Sequence, residues 1–377
     1  MAVNDSFSLS NKTKENALIS SILSSDKPIT SELYQAYADN FRRAVSAVPI
    51  DDQDLSAQWN ANVARFAAYK AYHATQEIRR MADEEDGDLA LIKATLHKYN
   101  RYQAAEYNTA VARARTGKQW LSFNESDNAR LFPYIEWLPS RSATPREAHR
   151  IFWNCRWPKG DPFWNENQPG TLWNCKCDWQ ETDVEPDPQK NKTALDKAEE
   201  MKQIAAEAHK PNPLCLPGLD KNPATSGQIF TNTAPYIKSA PSSVPTLAIQ
   251  MERDMFRDTH SDDFIVFRTN IGKVLYDEIT VSEITKGAKS DASYFYKLEI
   301  AQHFDKFSHL LTPLPDETID LSHNKHKSRF YQRKKLFSCM KVYKLELNGY
   351  EFQVKVGEFK TGGFNLYAIT EPYNPIK

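Results

Sequence analysis

Two of the five cysteines in this 377-residue chain, Cys175 and Cys177, are separated by a single residue in the stretch DPFWNENQPGTLWNCKCDW (161–179). Cys155 lies upstream, and His149 six residues before that. Thiolates and an imidazole nitrogen are the ordinary ligands of structural zinc, and three cysteines with one histidine are an accepted set. A metal would also supply folding free energy to a segment with little regular structure. The spacing argues the other way, since Cys-x-Cys is tighter than the usual gap of about two to four residues. Three other readings compete for the same residues. A Cys175–Cys177 disulfide would close a strained loop. A Cys175–His149 nucleophile pair has the right residue types but no nucleophile motif around it. Buried thiols that simply fill space need no chemistry at all.

A second concentration of reactive side chains lies between Ser322 and Lys344. Lys325, Lys327, Arg329, Arg333, Lys334, Lys335, Lys341 and Lys344 fall there without one acidic residue. His323 and His326 sit inside the run, and Phe330, Tyr331 and Phe337 are interleaved. Cations neutralise phosphates and aromatic faces stack on unpaired bases, so the pattern fits a nucleic-acid-binding surface. A solvated basic face is the commoner use of such a run. Its position just ahead of a strand meander favours the first use.

These groups need elements to position them. Residues 1–30 are polar and Ser-rich and read as a loose arm. Over 31–117 the spacing predicts helices: Trp59, Val63, Phe66 and Tyr69 recur at helical intervals, as do Ile92, Leu96, Tyr99 and Tyr102. Gly87 and Asp88 mark a break with an N-cap, and Gly117 reads as a terminating C′ glycine. No proline interrupts 50–132. Residues 118–182 lose the helical period and hold seven of the eight tryptophans, which predicts a loop-rich module with Trp164, Trp173 and Trp179 as its core. Residues 183–245 read as one polar helix followed by a Pro-rich linker. From 246 to 377 the pattern is mixed. Strands are expected in DDFIVFRT and KVLYDEITV, and a helix through Ile300, Phe304, Phe307 and Leu311. A meander follows, in which Tyr343, Leu345 and Leu347 alternate, Asn348-Gly349 turns, Phe352, Val354 and Val356 alternate back, and Gly362-Gly363 turns again. The expected class is α+β, with a basic C-terminal α+β domain at 246–377.

Composition narrows the function classes. Basic and acidic residues nearly cancel, 48 against 49, so only the distribution of charge speaks about partners. No apolar run reaches the length of a membrane span, so no membrane anchor is expected. The first residues lack the order of a signal peptide. An odd number of cysteines on a long chain does not make a disulfide framework. Together these predict a cytosolic protein.

The segments TPREAHR (144–150), DPFW (161–164) and PGTLWNCKCDW (169–179) closely resemble the signature of phage Mu F-like minor head proteins, also called phage head morphogenesis proteins. The approach AAEYNTAVARARTGKQW is similar too, and the resemblance spans residues 31–182. Lys176 stands where that family has arginine, and Cys155 has no counterpart, so His149, Cys175 and Cys177 are the positions that carry over. The resemblance implies a structural role near the portal, with portal and capsid proteins as partners. It places the protein in the virion and in the host cytoplasm during assembly or after delivery. The Cys–His cluster then staples the fold, with zinc or without a cofactor.

The layout of about residues 260–372, within the 246–377 domain, resembles the small nucleases grouped as barnase, EndoU, colicin and RelE-like. Phage-encoded versions act as toxins behind head domains, countered by an immunity protein. That resemblance implies metal-independent RNA cleavage. His323 and His326 would move protons. Lys325, Lys327 and Arg329 would hold phosphate beside Arg333, Lys334 and Lys335. Tyr331 or Tyr367 would stack or donate, and Glu358 is a further candidate base. The alternative is a purely structural head protein whose basic domain contacts packaged DNA.

Overall fold

The structure is a computed structural model. It describes residues 12–84, 87–124, 126–248, 250–251, 265–276, 296–297, 300–301, 304–319, 321, 329–347 and 350–371. The architecture is α+β, in two compact units: Met1–Ile50 with Asn62–Pro241, and Asp51–Ala61 with Ser242–Lys377.

The first unit is built on long helices: α1 (Lys12–Ser24), α2 (Ser31–Ser46), α3 (Gln53–Glu84) and α4 (Leu89–Phe123). Within the unit, α3 buries Val63, Phe66, Ala67, Lys70, Ala71, Ala74 and Ile78. This is one stripe at the three-and-four spacing of a helix facing a core. The α3–α4 break falls where the sequence marks it. Gly87 takes φ 76°, and the Asp88 carboxylate accepts from Ala90 N at 2.7 Å. Two expectations fail here. Part of the supposed loose arm is α1, because Ile19 and Ile22 find buried places at 3% and 0% exposure. Gly117 does not end α4 but is buried inside it. A mid-helix glycine costs about 1 kcal/mol relative to alanine. Continuing the helix seats Trp120 and Phe123 in the aromatic core beyond it.

That core covers a three-stranded antiparallel sheet of β1 (Tyr134–Leu138), β2 (Arg156–Pro158) and β3 (Asp178–Thr182), in the order β2-β1-β3. Trp137 lies opposite Trp179 across β1 and β3. Trp137, Trp164 and Trp179 are all under 2% exposed. Trp157 stacks on Phe163 at 3.6 Å between ring centroids. Trp173 is not in this cluster. It is half-buried and stacks on Phe230 at 5.6 Å, with Phe66 on α3 at 6.4 Å. The short helices α5 (Ser126–Leu131), α6 (Glu147–Arg150) and α7 (Phe163–Glu166) join the strands.

Next comes the polar helix α8 (Pro188–Glu207), capped by Asp187 and opened by Pro188 as its sequence signals. The stretch that reads as a Pro-rich linker does not behave as one. Residues up to Pro241, with α9 (Pro223–Ser226) and α10 (Pro235–Lys238), fold into the first unit as a strap along the helices. Asn62 on α3 grips Phe230 at both backbone atoms, accepting from its N–H at 2.8 Å and donating to its carbonyl at 2.9 Å. Proline marks missing amide donors. It does not mark freedom from packing, and here buried side chains supply the partners.

The second unit is a six-stranded sheet: β4 (Ile265–Thr269), β5 (Gly272–Tyr276), β6 (Thr312–Glu317), β7 (Phe337–Leu347), β8 (Tyr350–Phe359) and β9 (Phe364–Thr370). The order is β4-β5-β9-β8-β7-β6, antiparallel except for the β5–β9 pair. β9 is internal and buries Asn365 through Ile369 without alternation, the mark of a strand covered on both faces. The expected meander is β7-β8-β9. Its Asn348-Gly349 turn lies outside the described residues, and Gly362 and Gly363 make the other turn at φ 90° and 86°. Phe304–Phe307 is helical, whereas Leu311 lies beyond it in extended backbone. A Cβ at Gly357 would overlap the Phe337 ring, so this β8 position admits only glycine.

Candidate functional site

In the first unit, α6 and the 172–177 turn bring three predicted residues together. His149 is fully buried, Cys175 is 4% exposed and Cys177 is half-buried. Their ligand atoms lie within 4.8 Å of one another, so the cluster can hold a metal ion. Asn174 makes this geometry by taking φ 58°, with its N–H bonded at 2.8 Å to Thr109 Oγ1 on α4. That left-handed kink turns Cys175 inward just before β3 begins.

The histidine is oriented from behind. Its Nε2 lies 3.1 Å from the Leu214 carbonyl, so Nε2 carries the proton and donates it. Thr171 Oγ1 supports the same carbonyl at 2.9 Å. Nδ1 therefore presents its lone pair toward Cys175 Sγ, 3.4 Å away. A backbone carbonyl on one ring nitrogen and a metal or thiolate on the other is the usual arrangement of a ligating histidine.

The sulfurs share one negative charge. The Cys177 thiol donating to its sulfur holds Cys175 down at about 4 against the upward push of burial, with His149 adding to the effect. The same contact pushes Cys177 up. Among the described residues, the buried indole N–H groups of Trp137 and Trp153 meet no oxygen or nitrogen partner, and both favour a charged sulfur at Cys177. A buried donor left without an acceptor is costly, so these two indoles fit a site where the second sulfur is ionised as well. All five cysteines are free, and Cys155 packs into the aromatic core away from the cluster. Thr171 and Leu214 are invisible in the sequence, because nothing about a threonine or a leucine carbonyl announces that it will hold a histidine ring in place.

In the second unit, His323, His326, Lys325 and Lys327 lie outside the described residues, as does the side chain of Arg329. Residues Arg329–Lys334 form a short helix ahead of β7. The Lys335 ammonium sits over the Tyr331 ring at 4.6 Å, and that of Lys334 over the Tyr367 ring at 5.6 Å. Arg333 is half-buried on the same helix. Glu358 on β8 faces Cys339 on β7, which donates to its Oε2 at 3.2 Å. Burial and then Glu358 push the Cys339 thiol up. Lys341 lies 3.8 Å from the Glu358 carboxylate and 2.7 Å from that of Asp316.

Glu358 and Tyr367 are not brought together. Strand alternation sets Cys339 and Met340 on opposite faces. Glu358 follows Cys339, while Tyr367 packs with Met340 and Phe337. A cleft of about 390 Å³ opens between β6, β7 and the end of the short helix, and Lys334, Lys335, Lys360 and Cys339 line it. Lys360 stands apart from the basic run in sequence, so spacing alone does not find it. Its N–H donates to the Leu336 carbonyl at 2.9 Å, which folds it back beside the run.

Among the described residues, no helix is long and apolar enough to cross a membrane. Compared with known proteins, the chain matches no family model, no curated protein and no solved structure.

Proposed function

We propose that the chain is a phage minor head protein that works beside the portal, and that one zinc ion on His149, Cys175 and Cys177 staples its Trp/Cys module. The motif resemblance supports the head assignment. The observation that carries the zinc assignment is the gathered ligand set with the histidine fixed by Leu214. Zinc fits this donor set: at about 2.3 Å for sulfur and about 2.0 Å for nitrogen, a tetrahedral S–N edge spans about 3.5 Å, and a water would complete the four-coordinate shell. The separation here is 3.4 Å. The ion would tie α6 to the start of β3, and its role is cohesion of the module.

Protein purified without chelator is expected to carry about one zinc per chain by elemental analysis. Cys175→Ser and His149→Ala should each lose it. A metal-free wild type whose thermal midpoint does not move when zinc is added back would end the zinc assignment. For the head assignment, mass spectrometry of gradient-purified particles should find the chain beside portal and capsid proteins. Its absence from purified particles would refute that role.

The second unit extends the proposal to a ribonuclease-type effector acting on host RNA and neutralised by an immunity partner. The support is the resemblance in layout together with the basic helix opening on a cleft. Since Asp51–Ala61 belong with this unit, the whole chain is the right test object. It should cleave RNA without added metal, and His323→Ala/His326→Ala should remove the activity. Salt-sensitive DNA binding with no cleavage would favour the alternative, a structural protein whose basic domain touches packaged DNA.

A further inference from the structure

We infer that the cleft between β6, β7 and the Arg329–Lys334 helix seats one phosphate and one unpaired base of single-stranded RNA, with Lys334, Lys335 and Lys360 taking the phosphate. The inference rests on the effector proposal for the choice of RNA, and on the geometry of the second unit for the site itself.

The charge balance of the cleft is the first argument. Two acids, Asp316 and Glu317, stand in its wall beside the three lysines. Both are already paired with lysines that do not line it. Lys341 holds Asp316 at 2.7 Å, and Lys355 holds Glu317 at 2.7 Å. Among the described residues no carboxylate pairs with Lys334, Lys335 or Lys360. The cleft is therefore cationic despite its acids, and its cations are available to an incoming anion.

The wall chemistry is the second argument. Ile319, Leu321 and Phe337 give the cleft an apolar side, and Leu321 is 36% exposed. An inorganic anion would gain nothing from that side, whereas a nucleobase would cover it. Two of the lysine ammonium groups are held in place, and the backbone of the third is fixed. The Tyr331 and Tyr367 rings hold the two by their faces, and the Leu336 carbonyl ties the third. A volume of about 390 Å³ lies in the range of small-ligand sites, about 300–1,000 Å³, and has room for a base. A base can cover that apolar side only when it is unpaired, which favours a single strand. Cys339 lines the cleft and donates to Glu358, so the cleft wall touches the candidate base through that thiol.

The test uses the full chain and a fluorescein-labelled oligouridylate of about ten nucleotides, followed by anisotropy across a salt series. Lys360→Glu should weaken binding about tenfold or more, and Lys334→Ala/Lys335→Ala should lower the salt slope by about 0.7 for each phosphate that the variant no longer neutralises. Lys238→Glu, at an exposed side chain of α10 in the first unit, is the control and should bind like wild type. Saturating oligomer should also slow maleimide labelling of Cys339 several-fold, read by peptide mass spectrometry. Wild-type affinity in folded Lys360→Glu and Lys334→Ala/Lys335→Ala variants, or unprotected Cys339, would overturn the site. Equal affinity for an oligodeoxythymidylate would overturn the choice of RNA. Lost binding in a protein that never cleaves RNA would keep the site and remove the effector proposal. Undiminished cleavage in Lys360→Glu would keep the effector proposal and remove the site.

Discussion

Arg113→Met is expected to lower the thermal midpoint of the first unit by about 10 °C and to open residues 210–241 to protease. Arg113 is on α4 and is 1% exposed. Its guanidinium donates to three carbonyls of the strap: Ile229 from Nε at 2.6 Å, Leu219 from Nη1 at 2.8 Å and Lys221 from Nη2 at 2.5 Å. Burial brings its pKa down to about 10, opposed by the nearby Cys215 and Asp220. Against the upward push of its own burial, Asp220 is kept below its usual range by the Thr231 and Thr233 hydroxyls and by Arg113. Methionine fills the stem volume but leaves three buried carbonyls without donors. Hydrogen bonds to a charged group are worth about 1.5–3 kcal/mol each, and part of the loss is offset because the charge no longer needs burying. A net cost of about 3–5 kcal/mol follows. Arg113→Lys should recover only a part, because one ammonium cannot span the fork. Differential scanning calorimetry with limited trypsin digestion reads both effects. A midpoint within a degree or two of wild type, with the strap still resistant, would show that the carbonyls find other donors.

The strap also marks the limit of what the sequence discloses. Proline-rich stretches broken by asparagine and glycine have the local chemistry of a linker, and residues 211–241 satisfy that description fully. Their order comes from side chains far away in sequence, Asn62 and Arg113, and local composition carries no trace of a partner over 100 residues off. Where the signal is local, the reading holds: the Asp88 cap, the uninterrupted α3 and α4, and the paired glycines after β8. Gly117 shows local preference losing to tertiary packing, since Trp120 and Phe123 recover more by burial than the glycine costs. His149, Cys175 and Cys177 were legible as residue types, but their convergence depends on Asn174 adopting a left-handed turn. The cleft was half legible: Lys334 and Lys335 belong to a visible basic run, while Lys360 joins them only through the β7–β8 register. Another signal is present in the sequence. On α3 and α4 the apolar stripe is broken by Lys70, Glu106 and Arg113, each at a position where the helical period requires burial. A long charged residue on a buried stripe must have a partner, and each of these three ties its helix to another element.

Lys70→Met alone should destabilise the first unit by about 3–5 kcal/mol, and adding Glu106→Gln should return part of that loss. Lys70 on α3 is fully buried and pairs with Glu106 on α4, 5% exposed, while donating to the Tyr99 carbonyl at 3.2 Å. Tyr37 on α2 closes the pocket, with the Lys70 ammonium 4.9 Å from its ring centroid. The Tyr236 hydroxyl of the strap also reaches Glu106. Burial pushes the Lys70 amine down and the Glu106 carboxyl up, and each partner pulls the other back toward its charged form. Removing the lysine leaves burial opposed on the carboxyl by the Tyr236 hydroxyl alone, so its folded pKa then stands further above its unfolded value of about 4.3. A group raised in this way contributes stability that is present at low pH and lost as pH rises through the folded value. The Lys70→Met variant should therefore lose stability between mildly acidic and neutral pH more steeply than wild type, and the double variant should not. Chemical denaturation of the three proteins across that pH range measures the effect. Parallel pH profiles, or single and double variants equally destabilised, would mean that water reaches Glu106 once the lysine is gone and that the pair was never sealed from solvent.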